Sequence, residues 1–172
     1  MIRLNVGSGS KVLEGYINCD VVALPNIDIV APADKLPYKD NEVDEILSEH
    51  MIEHLTFEEF NRTIVEWYRV LKSGGVLTIE TPDLMGICEQ FVTSNYFNQY
   101  TSFKGYWPLI AHFYGHQRGS SLEEKLGQVH KSGYTYKHLF YCLEGIGFKD
   151  LVSEIPRKAN PHSPTLRIRA FK

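Results

Sequence analysis

The chain has 172 residues, 43% hydrophobic and 23% charged, a length and balance that make one compact domain and exclude disordered, fibrous and short peptide modules. Eighteen basic against 21 acidic side chains leave a net charge of -3, so nothing draws the chain to nucleic acid or anionic membrane in general. No apolar run spans a bilayer, and no basic segment leads into an apolar run with a cleavage site, which points to a soluble cytoplasmic protein. Cys19, Cys88 and Cys142 are far apart and form no C-x-x-C pair, so reduced, mostly buried thiols are expected rather than a disulfide framework or zinc knot.

In chain order, apolar runs at residues 2–6, 16–21, 27–30, 43–47 and 76–81 fit buried strands, each ending in small or polar residues. Between the fourth and fifth, Thr56 and Glu59 form a T-x-x-E capping box. Phe60, Ile64, Trp67 and Leu71 then recur at helical spacing until Gly74 and Gly75 stop the helix. Strands joined by helical crossovers predict a parallel sheet, whose ligands sit beyond the carboxyl ends of the strands. Residues 84–133 differ: Gly105, Pro108, Gly115 and Gly119 break up helical patches, and nine aromatics fall between Phe91 and Tyr114. This segment reads as a cap. From Thr135 a helix with Leu139 and Leu143 on one side runs to Gly145 and Gly147. Strands at 148–154 and 166–171 then form a closing antiparallel pair.

Gly7-Ser8-Gly9 follows the first strand, where a missing side chain lets the backbone turn tightly and approach a ligand. Asp20 ends the second strand, where a carboxylate can accept hydrogen bonds from two neighbouring ribose hydroxyls. The dinucleotide fingerprint needs a third glycine opening a helix and an acid about 20 residues on. Here Val12 takes the glycine's place, and too few residues remain before Asp20 for such a helix. With no G-x-x-x-x-G-K-[ST] either, a nucleoside cofactor without phosphate fits better than NAD, FAD or a P-loop nucleotide.

An ordered set of motifs resembles one family, the class I S-adenosylmethionine-dependent methyltransferases, in their short type 11 branch. Leu4-Asn5-Val6-Gly7-Ser8-Gly9 is similar to its glycine loop, and residues 13–20 resemble the variant whose first helix is nearly lost. Leu36-Pro37-Tyr38, Asp40-Asn41, residues 43–46, Glu53-His54-Leu55, residues 66–75 and Thr81-Pro82-Asp83 follow in the family's order. The resemblance implies an α/β, Rossmann-like, doubly wound sheet of seven strands with the last reversed, a truncated first helix and a helical cap, all within one domain over 1–172. It also implies S-adenosylmethionine as cofactor, held by Asn5, Gly7, Ser8, Gly9, Asp20, Val21, Asp34, Ser48, Glu49 and His50. Asn5 stands where the family has an acid. The acceptor is a small molecule attacking through oxygen, nitrogen or carbon. His50 or His130 would take a proton from it, and Asp83, Tyr106, Tyr114, His116 and Tyr134 would line its pocket.

Other readings attach to the same residues. Glu66, Trp67, Arg69 and Leu71 are expected to be helix packing and salt-bridge structure, and Asp83 could simply cap the next helix. His50 and His54 are four apart, as are His112 and His116, a spacing that suits metal ligands on a helix. Neither pair has H-E-x-x-H order or a clear third ligand nearby, so no metal is expected. Arg157, Lys158, Arg167, Arg169 and Lys172 read as a solvated face, since a nucleic-acid site would interleave them with stacking aromatics. The rivals to methyl transfer are an inactive cofactor-binding module or partner subunit and, on the histidine pairs, a metal-dependent hydrolase.

Overall fold

A computed structural model describes residues 1–93, 111–115, 127–157 and 164–172. Seven strands form one sheet: β1 Arg3–Val6, β2 Ile17–Asp20, β3 Ile29–Val30, β4 Val43–Glu49, β5 Leu71–Pro82, β6 Lys149–Glu154 and β7 Thr165–Phe171. Their spatial order is β3-β2-β1-β4-β5-β7-β6. The first five are parallel, and β7 lies antiparallel between β5 and β6. The expected seven-stranded sheet with its closing antiparallel pair is therefore present. No helix among the described residues is long and apolar enough to cross a membrane.

Three α-helices are described: α1 Phe57–Val70, α2 Leu84–Thr93 and α3 Tyr136–Ile146. The capping box is formed as its residues demand, with Glu59 N donating to Thr56 Oγ1 at 3.2 Å and Thr56 N to Glu59 Oε2 at 2.7 Å. α1 ends at Val70, earlier than the glycines at 74 and 75 suggested. Fully buried Leu71 turns into the sheet and pairs with Val43, opening β5 instead of closing the helix. α3 stops where Gly147 adopts φ +118° and sends its N–H back to the carbonyls of Leu143 and Glu144.

Strand register sorts the side chains by face. Leu4, Cys19, Ile46, Leu77, Ile168 and Ala170 share the face that meets Phe60, Ile64 and Trp67 of α1 and Leu139 and Leu143 of α3 in one core. The other face is polar. The β1–β2, β2–β3 and β3–β4 connections contain no helix, and charge pairs stand where helices would otherwise cover the sheet. Arg3 bonds Glu45 at 2.7 Å, and Arg167 meets Glu80, Glu49 and Glu154 at 2.9, 3.2 and 3.1 Å. Arg157 joins Glu49 and Arg169 joins Glu154, so much of the basic carboxy-terminal stretch is neutralised by carboxylates rather than bathed as a free cationic face.

Side-chain amides stand in for the lost first helix. Asn5 Nδ2 donates to Lys11 O at 3.0 Å and to Asn18 Oδ1 at 2.9 Å, and Leu13 N donates to that same oxygen at 2.9 Å. The short loop is thereby tied to the strands it joins. The E-W-Y-R string is structural as expected: Glu66 accepts from Leu36 N at 2.8 Å and pairs with Arg69, which also reaches Asp40. All three cysteines are free; Cys19 is buried, its thiol pushed up to about 12 by burial and then by Asp28 and Asp20, whereas Cys88 is exposed.

Candidate functional site

The turn after β1 folds onto the end of β2. Gly7 N and Ser8 N both donate to Cys19 O, at 2.9 and 3.1 Å, and Gly9 N donates to Asp20 Oδ2 at 2.8 Å. Gly7 and Gly9 hold φ of +71° and +52°, a region costly for any residue with a Cβ. A Cβ on Gly7 would lie 2.0 Å from Met51 Cγ, so this glycine makes room for the turn after β4. A Cβ on Gly9 would meet nothing within 4 Å, because that side faces open space.

That space is a cavity of about 680 Å³ whose wall includes Gly7, Gly9, Asp20, Asp34, His50 and His54. Its two cations are already spoken for. Arg62 bonds Asp34 at 3.0 Å and Glu58 at 2.9 Å, and Lys131 stands 3.6 Å from Glu59. A pocket with carboxylates at its rim and neutralised cations suits a ribose-bearing ligand without phosphates, which is the chemistry of S-adenosylmethionine.

The residues expected to hold the cofactor occupy different places. Gly7, Gly9, Asp20, Val21, Asp34 and His50 line the cavity. Asn5 commits its amide nitrogen to the loop, as above. Ser8 and Ser48 are buried, each with a hydroxyl that finds no partner among the described residues. Glu49 lies on the polar face with Arg157 and Arg167 and is not part of the cavity wall.

Beyond the turn, a second cavity of about 330 Å³ is walled by Glu53, Leu84, Ile87, Tyr114, His130 and Gly133, among others. Of the residues expected around the acceptor, Tyr114 and His130 are here. Tyr134 is not: it is wholly buried, with its hydroxyl 2.9 Å from Ser132 Oγ, because Phe57 and Phe60 of α1 and His138 of α3 close on its ring. Asp83 is a helix cap, accepting from Met85 N at 3.1 Å and from Ile87 N through its carbonyl at 2.9 Å. Tyr106 and His116 lie outside the described residues.

His50 ends β4 in a left-handed conformation, φ +54°, and its N–H donates to Glu80 O at 2.7 Å. Its ring faces two buried carboxylates, with Nδ1 3.4 Å from Glu53 Oε1 and Nε2 3.8 Å from Glu80 Oε1. Burial works to raise the Glu53 carboxyl, but the hydrogen bond and charge of His50, with His54 behind, hold it below the usual carboxylate range. Burial likewise depresses His130, outweighing Glu53 and the carbonyl of His112 that would raise it. Glu53 and Lys131, which line these cavities, are not singled out by the sequence, and His54 stands out there only for its spacing from His50. Glu53-His54 stood within a motif string, but nothing local distinguishes a buried carboxylate from a surface one.

Residues 7–79 match the family model described as a methyltransferase domain. That stretch is similar to the type 11 branch of the class I methyltransferases. The likeness supports S-adenosylmethionine as the cofactor, and the glycine turn, Asp20 and the first cavity provide a place of the right chemistry. Its fold is shared by a SAM-dependent methyltransferase from Archaeoglobus fulgidus, at 16% identity and TM-score 0.61, over 99% of this chain and 85% of that one. A SAM-dependent methyltransferase from Methanosarcina mazei aligns at 15% identity and TM-score 0.62, over 99% and 91%. The 1,6-didemethyltoxoflavin-N1-methyltransferase of Burkholderia thailandensis, solved with 1,6-didemethyltoxoflavin and S-adenosylhomocysteine, aligns at 14% identity and TM-score 0.63, over 99% and 70%. No curated protein matches the methyltransferase in sequence.

Proposed function

We propose that this methyltransferase alkylates a small molecule at an oxygen, nitrogen or carbon nucleophile, taking the cofactor in the first cavity and the acceptor in the second. One observation carries this reading: Lys131 lines both cavities, and the edge-on ring pair of His54 and His130, with centroids 5.1 Å apart, stands between them. Both volumes fall in the range of small-molecule sites.

S-adenosylmethionine supplies a methyl group already activated on a sulfonium, so the protein's task is alignment and exclusion of water. Asp20 would hold the ribose hydroxyls, with Gly9, Val21 and Asp34 along the same wall. The acceptor's proton goes to an imidazole. His130 suits this, because its Nδ1 faces the carbonyl of His112 at 2.9 Å and so carries the hydrogen, which leaves Nε2 with its lone pair. His50, on the cofactor wall beside Glu53 and Glu80, is the second candidate base. The cap expected over residues 84–133 lies largely outside the described residues, and Tyr114 and His130 from that stretch line the acceptor cavity.

Calorimetry with S-adenosylhomocysteine tests the first half: one site per chain and a raised melting temperature are expected. Methyl transfer to a panel of alcohols, amines and sugars tests the second, using Tyr114→Ala and His130→Ala. Loss of transfer with unchanged cofactor affinity supports the assignment. Loss of cofactor binding in both variants overturns it.

A further inference from the structure

The geometry points to a divalent transition-metal site, made by Glu53, His54 and His130, on the wall between the two cavities. One carboxylate oxygen and one nitrogen from each ring lie within 4.8 Å of one another. Two ligands about 2.1 Å from one ion can be at most about 4.2 Å apart, so a small closure of side chains completes the set.

The surroundings favour ligation over chance proximity. His54 Nδ1 is 3.1 Å from Val129 O, and His130 Nδ1 is 2.9 Å from His112 O. A carbonyl only accepts, so each Nδ1 carries the hydrogen and each Nε2 is left as a neutral donor to a metal, the outer-shell arrangement that ligating histidines use. The carboxylate is oriented too: Thr81 Oγ1 donates to Glu53 Oε2 at 2.9 Å. Backbone bonds hold the two segments together, with Lys131 N and Ser132 N both donating to Glu53 O, at 2.8 and 3.2 Å. Glu53 is 2% exposed, and a buried carboxylate gains from a cation beside it. The nearest lysine, Lys131, points to Glu59 instead.

Two imidazoles and one carboxylate are a ligand set for zinc, or for iron, cobalt or nickel in the divalent state, with at least one position left for an exogenous ligand. Glu53 and His130 line the acceptor cavity and His54 the cofactor cavity, so the open position lies between them. On the proposed methyl transfer, on which this last step rests, the acceptor is then an oxygen nucleophile that ligates the ion through the attacking atom, and with His130 Nε2 on the ion its proton passes to His50.

The test uses the full chain without a histidine tag, stripped with a chelator and titrated with cobalt(II). One ion per chain at micromolar concentration is expected, with visible absorption bands that zinc(II) displaces. His54→Gln and His130→Gln should each weaken binding by a hundredfold or more, while His138→Gln, outside the cluster, should not. In the unsubstituted protein, cobalt should shift the ring resonances of His54 and His130 before those of His138, a readout that needs no variant to fold. Absence of binding below millimolar cobalt, or resonance shifts confined to other histidines, overturns the site. S-adenosylhomocysteine is titrated into the same stripped protein: if it binds while cobalt does not, the metal site fails and the methyltransferase reading stands.

Discussion

The cofactor cavity takes its essential shape from backbone turns at the ends of β1 and β2, whereas the acceptor cavity is assembled from side chains that meet only across the fold. On the first side, Gly7, Gly9 and Asp20 are near neighbours in sequence, and the bonds that set them are short-range. On the second, Glu53 follows β4, Leu84 follows β5, and His130 comes from the segment that returns before α3. A turn set by short-range bonds is damaged chiefly by changes in the turn and in what packs on it. A site made by tertiary contact depends on every segment that holds it.

The sharpest way to break this contrast is at Gly7. Gly7→Val is expected to lose roughly 1–2 kcal/mol to the left-handed backbone, and roughly 1–3 kcal/mol more because its Cβ would overlap Met51. Denaturant melts should show the loss. A Gly7→Ala and Met51→Ala double-mutant cycle should return part of it, which would show that the glycine serves packing of the two turns as well as the ligand. Normal stability in Gly7→Val would mean that the two turns do not press together.

Next in size, Asp20→Ala should weaken S-adenosylhomocysteine by about 1.5–3 kcal/mol, the range for hydrogen bonds to a charged group. The same carboxylate accepts from Gly9 N and Val22 N, so some loosening of the turn is included. Calorimetry on the folded variant checks this, and an unchanged affinity would place the ribose elsewhere.

The acceptor side should show itself through pH. His130 is held below its ordinary value of 6.5 by burial, so the unfolded chain binds its proton more readily than the folded one. Stability should therefore fall as pH drops below about 6.5 and level off once the folded pKa is passed. His130→Gln should flatten that slope in chemical melts taken between pH 7 and 5. Glu53, held low, acts in a lower window: its contribution is full above about 4.3 and is lost as pH falls through its depressed value.

The smallest effect is expected at Tyr114, which lines the acceptor cavity but is exposed. Tyr114→Ala should raise the acceptor's KM by up to about tenfold, the worth of one ordinary hydrogen bond, and leave cofactor affinity unchanged. A change in cofactor affinity of similar size would join the two cavities into one.

Much of the scaffold was legible without coordinates because its rules are local. Alternating burial needs runs of apolar residues, the capping box needs Thr56 and Glu59 three apart, and a tight strand-to-strand turn needs glycine. The shortness of the stretch before Asp20 even foretold that the first helix would be missing. Helix α1 ended early for a reason no window shows: Leu71 gains more by entering the sheet beside Val43 than by extending the helix. The histidines find their partners for the same kind of reason. His50 and His54 are four apart in the chain, yet His54 meets Glu53 and His130, and His50 meets Glu53 and Glu80. Tyr134, an aromatic near the expected pocket, went to the core, and the basic carboxy-terminal residues went to carboxylates on the polar face of the sheet. Spacing along the chain determines strands, caps and turns because their hydrogen bonds close within a few residues. Which charges neutralise one another, and which rings and carboxylates converge between two cavities, is decided only when burial removes water from groups that the chain holds far apart.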